Sequence, residues 1–246
     1  MRITYFLVII IAFLPIFVYA DSIYIMHNNY TMNHINILTN LGYQVTNGGT
    51  TTLSNYSAYN QVWDLRYDTN LTSTDVTAFN TYLSNGGRLY LGGEQRAFDS
   101  SRNNTLIPAI ATLGGGTLSG QANILAQVYY PVTMAELKTP APWTQIKFYN
   151  TSSFTSPGTG TFVVETSVGS GVGTIIAWDF GDIQGKSNVR MIAGFDIDIF
   201  TAGTTQEIQY MVQNFAAYLG ASVPVPEPSC FWILGFCILF YFFKKI

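Results

Sequence analysis

Four residues stand out by type and position. His27, Asp64, Arg66 and Glu94 each follow or end a short apolar stretch that reads as a strand. Two carboxylates, a guanidinium and an imidazole at one sheet edge could hold a small polar ligand. They could also move a proton, with Glu94 and Asp64 as a weak acid/base pair. The simpler reading is structural: Glu94 pairs with Arg66 or Arg96, or caps the segment that follows. Asp179, Asp182, Asp196 and Asp198 form a second constellation. Their oxygens suit calcium, but the spacing fits no EF-hand loop, and solvated loop carboxylates are the simpler account.

Nucleophilic chemistry is poorly represented. Both cysteines, Cys230 and Cys237, lie in an apolar run near the C-terminus. Residues 21–222 therefore contain no disulfide, no thiolate and no cysteine-based metal site. Acyl transfer needs an activated nucleophile with a base in reach. Ser100 and Ser101 fall in a predicted polar turn with no histidine nearby in sequence. Gly169-Ser170-Gly171-Val172-Gly173 has the spacing of a dinucleotide loop, but it precedes a strand and not a helix, which makes it a turn. Asp179-Phe180-Gly181 spells the kinase magnesium motif without that family's other loops. The residues favour a non-enzyme, and no cofactor is expected.

The elements that must position these groups can be read in order. Ser22–Met26 is a short β-branched strand. Met32, Ile35, Leu38 and Leu41 repeat at helical spacing and predict a helix over about 31–41, closed by Gly42. Tyr43–Thr46 reads as a strand, 47–60 as a loop and Gln61–Leu65 as a buried strand. Thr72 and Asp75 have the pattern of a capping box for a helix over 73–85, with Val76, Phe79, Tyr82 and Leu83 as its stripe. Gly86-Gly87 ends it, and a strand over Arg88–Leu91 runs into Gly92-Gly93-Glu94. Strand, helix, strand with a short glycine link favours a parallel sheet with right-handed crossovers.

Further on, Leu106 to Leu113 predicts a helix closed by three glycines. Ile124–Val132 and Arg190–Ile199 read as strands. Phe162–Val168 and Gly173–Phe180 read as a hairpin, and 204–219 as the last helix. The expected fold is α/β: one domain over 21–222 whose first half is a parallel sheet flanked by helices and whose second half adds strands.

The chain over roughly residues 22–115 resembles the class I glutamine amidotransferase-like superfold, including its trehalose-utilisation-like branch, with a weaker echo in the last helix. The likeness rests on Asp64, Phe79-Asn80-Thr81-Tyr82-Leu83, Gly86-Gly87 and Gly92-Gly93. It implies a flavodoxin-like order of strands. Members of that family carry a nucleophilic cysteine on the elbow after the glycine-rich strand, where this chain has Gly93-Glu94. The resemblance therefore carries a fold, and not amidotransferase chemistry.

The two ends of the chain carry an itinerary. Arg2, the apolar stretch Ile3–Phe17 and Val18-Tyr19-Ala20 have the three-part layout of a secretory signal peptide, with signal peptidase cutting before Asp21; an uncleaved N-terminal anchor is the alternative. At the other end, Val225-Pro226-Glu227-Pro228 precedes 14 uncharged residues, Cys230–Phe243, and then Lys244 and Lys245. At about 1.5 Å per residue that run spans roughly 21 Å, a short membrane helix over 230–243. The basic end places it cytoplasmic by the positive-inside rule. The tail, 223–246, resembles the PEP-CTERM sorting signal of exported bacterial proteins. That resemblance implies recognition by an exosortase, a membrane enzyme that cuts near the box. A plain, uncut anchor is the alternative.

Setting aside Arg2, Lys244, Lys245 and Glu227 leaves eight basic and thirteen acidic residues, a net charge of about −5. An acidic surface argues against nucleic acid as a partner. Three function classes remain: a non-enzymatic protein of the cell envelope, outer surface or extracellular matrix; an envelope hydrolase using Glu94 and its neighbours; and a binding module for a small ligand or envelope polysaccharide, with tyrosines as stacking surfaces.

Overall fold

The structure, a computed structural model, describes residues 21–28, 33–95, 100–201 and 203–220. The expected leader, the Val225-Pro226-Glu227-Pro228 box, the apolar run 230–243, Met32 and Arg96 lie outside them. In chain order the described residues form β1 (Ser22–His27), α1 (Asn33–Asn40), β2 (Gln44–Gly49), β3 (Gln61–Leu65), α2 (Ser73–Ser84), β4 (Arg88–Gly92) and α3 (Ser100–Ile110). Six short strands follow: β5 (Leu118–Ser119), β6 (Ala122–Ile124), β7 (Val128–Pro131), β8 (Gln145–Phe148), β9 (Thr151–Ser153) and β10 (Ser156–Pro157). The chain closes with β11 (Thr161–Glu165), β12 (Gly173–Trp178), β13 (Arg190–Gly194) and α4 (Thr205–Gly220).

One seven-stranded sheet organises the domain, in the order β11-β12-β13-β4-β3-β1-β2. The five strands from β13 to β2 are parallel, and β11 and β12 join antiparallel. The three strands read from sequence near 22–26, 61–65 and 88–92 are adjacent and parallel, with β3 in the middle. They are almost continuously apolar because helices cover both faces. On one face α1 and α4 bring Leu38, Met211, Phe215 and Leu219 against Ile23, Ile25, Trp63 and Tyr90. On the other, α2 and α3 bring Phe79, Leu83, Leu106 and Ile110 against Met26, Val62, Leu89 and Leu91.

Helix ends are set by local chemistry. At the end of α1, Gly42 takes φ +92°. The Tyr43 N–H reaches Leu38 O and the Gly42 N–H reaches Thr39 O, the paired bonds of a Schellman motif. At the start of α2 the capping box forms as expected: Thr72 accepts from the Asp75 N–H, and Asp75 accepts from the Thr72 N–H. Thr72→Ala is expected to cost about 1 kcal/mol, read as a lower urea midpoint with an unchanged m-value.

Four expectations are corrected. The strand predicted over 43–46 continues to Gly49, because Asn47 and Gly49 still pair with β1. The helix predicted from Leu106 starts at Ser100, so Ser100 and Ser101 are its first turn and not a polar turn. The strand predicted over 124–132 is broken into β6 and β7. The strand predicted over 190–199 stops at Gly194, where Asp196 accepts from the Asp198 N–H and caps a 3₁₀ turn, Ile197–Phe200.

Residues 118–157 form one excursion of nested antiparallel pairs, β5 with β10, β6 with β9 and β7 with β8. It folds over the carboxyl end of β13. There the Ser152 N–H and the Thr151 hydroxyl both donate to Phe195 O.

Candidate functional site

All four singled-out residues lie at the carboxyl edge of the parallel strands, where open α/β sheets bind ligands. They do not form one site. Alternation along the strand points Val62, Asp64 and Arg66 to the face covered by α2 and α3. There Arg66 grips Asp64 with two parallel bonds, Nε to Oδ1 and Nη2 to Oδ2, both 2.8 Å. The same Nη2 reaches Asp75 Oδ1 at 2.9 Å, and Nη1 donates to Thr52 Oγ1 at 2.9 Å.

Arg102, in the first turn of α3, comes from the other side. It donates Nε to Gly92 O at 3.0 Å and Nη1 to Thr69 O at 2.8 Å, and its Nη2 is 3.2 Å from Asp64 Oδ2. Two carboxylates and two guanidiniums thus neutralise one another in a layer where each side chain is at most 4% exposed.

The protonation states follow from this packing. Burial alone would raise the Asp64 carboxyl, but the charges of Arg102 and Arg66 and the Arg66 hydrogen bonds hold it below the usual carboxylate range. Burial acts the same way on Asp75, and bonds from Thr52, Thr72 and Arg66 outweigh it and hold it at about 2. For Arg66, bonds and charge from Asp64 and then Asp75 outweigh burial and raise its pKa. Both acids are anionic at neutral pH, and neither can donate a proton.

Glu94 stands apart from this network. Its Oε1 accepts the Gln95 N–H at 2.7 Å, and its own N–H donates to Asn103 Oδ1 at 3.1 Å. Its charge acts on Asp196. Gly92 and Gly194 are register partners, so Glu94 and Asp196 each sit two residues past adjacent strand ends. Asp196 accepts from the Tyr149 and Asp198 N–H groups at 3.2 and 2.8 Å. Burial first, then the charges of Glu94 and Asp198, nevertheless raise its pKa well above the carboxylate range. Burial and the charge of Glu94 thus favour the protonated form of Asp196.

The four aspartates proposed for calcium do not converge. β12 runs antiparallel to β13, with Trp178 paired to Met191. Asp179 and Asp182 therefore lie at the opposite end of β13 from Asp196 and Asp198. Asp179 instead accepts from Arg190 Nε at 2.7 Å. Among the described residues no three His, Cys, Asp or Glu side chains could share a metal ion.

His27 turns to the other face of the sheet. Its Nε2 lies 2.9 Å from Asn47 Oδ1, and its ring stands 6.0 Å from that of His34.

Arg102, Asn103 and the pairing of Asp196 with Glu94 were missed from sequence. A signal for the first two exists: the Leu106, Ile110, Leu113 stripe, extended back by one turn, reaches Arg102 and Asn103.

No protein-family profile and no curated protein matches this chain. Solved structures do. The N-terminal domain of mmIFT52 aligns with 82% of this chain and 98% of its own, at 13% identity and a TM-score of 0.58. The exo-β-1,4-mannosidase Op5Man5 from Opitutaceae bacterium strain TAV5 aligns with 83% of this chain but only 37% of its own, at 10% identity and a TM-score of 0.52. A ThuA-like protein from Parabacteroides merdae aligns with 85% of this chain and 94% of its own, at 14% identity and a TM-score of 0.48. At such identities the mmIFT52 and Op5Man5 matches establish a shared α/β fold and no shared activity.

Proposed function

We propose that this is an exported bacterial envelope protein, sorted through its C-terminal tail, whose amidotransferase-like domain is non-enzymatic. The observation that carries the second half is the closed network at the strand ends. Asp64, Arg66, Asp75 and Arg102 are buried and bonded to one another, and none is presented to a substrate. The strand order β2-β1-β3-β4-β13 matches the flavodoxin-like order 2-1-3-4-5, which supports the finer fold assignment. At the elbow, where that superfold places its cysteine, this chain has Gly93 and Glu94. The chemistry is absent while the scaffold is kept.

Export and sorting rest on residues 1–20 and 223–246. The apolar run 230–243 holds the protein at the inner membrane after export, and an exosortase then processes it near Glu227 for release to the cell surface or matrix. Mass spectrometry of the mature protein, from a host with the sorting enzyme, is expected to find an N-terminus at Asp21 and a C-terminus near the Pro-Glu-Pro box. An intact Ile246 on most molecules would reduce the tail to a plain anchor.

A further inference from the structure

The two histidines of this chain meet at the carboxyl end of β1. His27 is the last residue of that strand and His34 the second of α1. Their rings are 6.0 Å apart, centroid to centroid, at 82°, and 2% and 0% exposed. The Phe200 ring, 5.4 Å from that of His34, forms an apolar wall.

Hydrogen bonding decides where the lone pairs are. Asn47 Oδ1 accepts the Gly49 backbone N–H at 2.9 Å. A backbone N–H can only donate, so this atom is the amide oxygen. The His27 Nε2 that lies 2.9 Å from it therefore carries the hydrogen. That leaves the His27 lone pair on Nδ1, which is buried and has no hydrogen-bond partner. Neither ring nitrogen of His34 has one either. A neutral His34 imidazole likewise carries one lone pair, on a buried ring nitrogen that no donor reaches. Buried lone pairs without a donor are costly unless something accepts them.

We propose that His27 Nδ1 and one ring nitrogen of His34 bind a first-row transition-metal ion of the kind imidazole prefers, Zn²⁺ or Cu²⁺. A histidine that ligates a metal usually donates its other N–H to an oxygen that orients the ring, and Asn47 holds His27 in that posture. Two imidazoles on one zinc, each bound through nitrogen at ~2.0–2.1 Å, have centroids roughly 5–6 Å apart, a range that includes the observed 6.0 Å. The pair also occupies the point where the chain leaves β1 for one face of the sheet and β3 for the other, the place where such sheets bind ligands. Two protein ligands are fewer than the four of a closed structural zinc site, so exogenous ligands would complete the coordination sphere.

The test is a titration of untagged, full-length protein in detergent. The protein is first stripped with a chelator, then titrated with Zn²⁺ and Cu²⁺ by calorimetry, with near-UV circular dichroism to check the fold. One ion per chain is expected, with a higher melting temperature in its presence. Asn47→Ala, in the largely solvent-facing β2, keeps both ligands and is expected to weaken binding about 10–100-fold. His34→Phe is expected to abolish it with the fold intact. Failure of the unaltered protein to take up either ion at one per chain would overturn the proposal, and so would wild-type affinity in either variant. A water molecule bridging the rings would give those negative results.

Discussion

Replacing Arg66 with alanine is expected to lower the unfolding free energy by about 3–5 kcal/mol. The guanidinium makes a two-pronged contact with Asp64, a third bond to Asp75 and a fourth to Thr52. Its removal strands two buried anions. Asp64 keeps only Arg102 as a charge partner, at 3.2 Å, and Asp75 keeps only neutral donors. Exposed ion pairs are worth a fraction of this; burial makes the difference here. Arg66→Lys should recover little, because one ammonium cannot match a planar fork. Urea unfolding checks both variants, as a lower midpoint at an unchanged m-value. A loss below about 1 kcal/mol would mean that water reaches the network and that the strand-end charges are not closed to ligands.

Acid should weaken the same network. The folded pKa of Asp75, about 2, is depressed below the unfolded value of 3.8. Its contribution is full above pH 4 and is lost as the pH falls towards 2.

The second large effect is the pH dependence contributed by His34. Its folded pKa is about 3 against an ordinary 6.5, lowered by burial and then by His27. Between those values the unfolded chain binds a proton that the folded chain does not. Stability therefore rises with pH across this window and is lost as the pH falls from 6.5 towards 3. Each pH unit is worth about 1.4 kcal/mol, so the metal-free protein at pH 4 should be roughly 3 kcal/mol less stable on this account than at pH 7. Asp196 works in the opposite direction: its pKa is raised on folding, so its contribution is lost as pH rises. It is present in both the wild type and His34→Phe, so the difference between their pH profiles isolates the imidazole. Urea unfolding at pH 7, 5.5 and 4 should show a flatter profile for His34→Phe. Parallel profiles would mean that His34 is solvated in the folded state.

The local elements were legible in the sequence because local chemistry sets them. Thr72 and Asp75 cap α2 through bonds three residues apart, Gly42 ends α1 by taking a positive φ, and the apolar runs of β1, β3 and β4 mark strands buried on both faces. The glycines at 169 and 171 turn the chain between β11 and β12. Their parallel and antiparallel arrangement follows from the lengths of the connections.

Partnership was decided only in three dimensions. Asp64 lies in β3 and Glu94 follows β4, yet the charge of Glu94 acts on Asp196, about a hundred residues away in sequence, because β13 inserts beside β4. Asp179 and Asp182 read as neighbours of Asp196, but the reversal between β12 and β13 sends them to the far edge. Arg102 sits in a polar run that resembles a turn, and only the packing of α3 against β4 carries its guanidinium to Asp64. Side-chain type and spacing determine which groups a short segment can offer. Which of them meet depends on strand order and direction, and those are set by burial of the whole sheet.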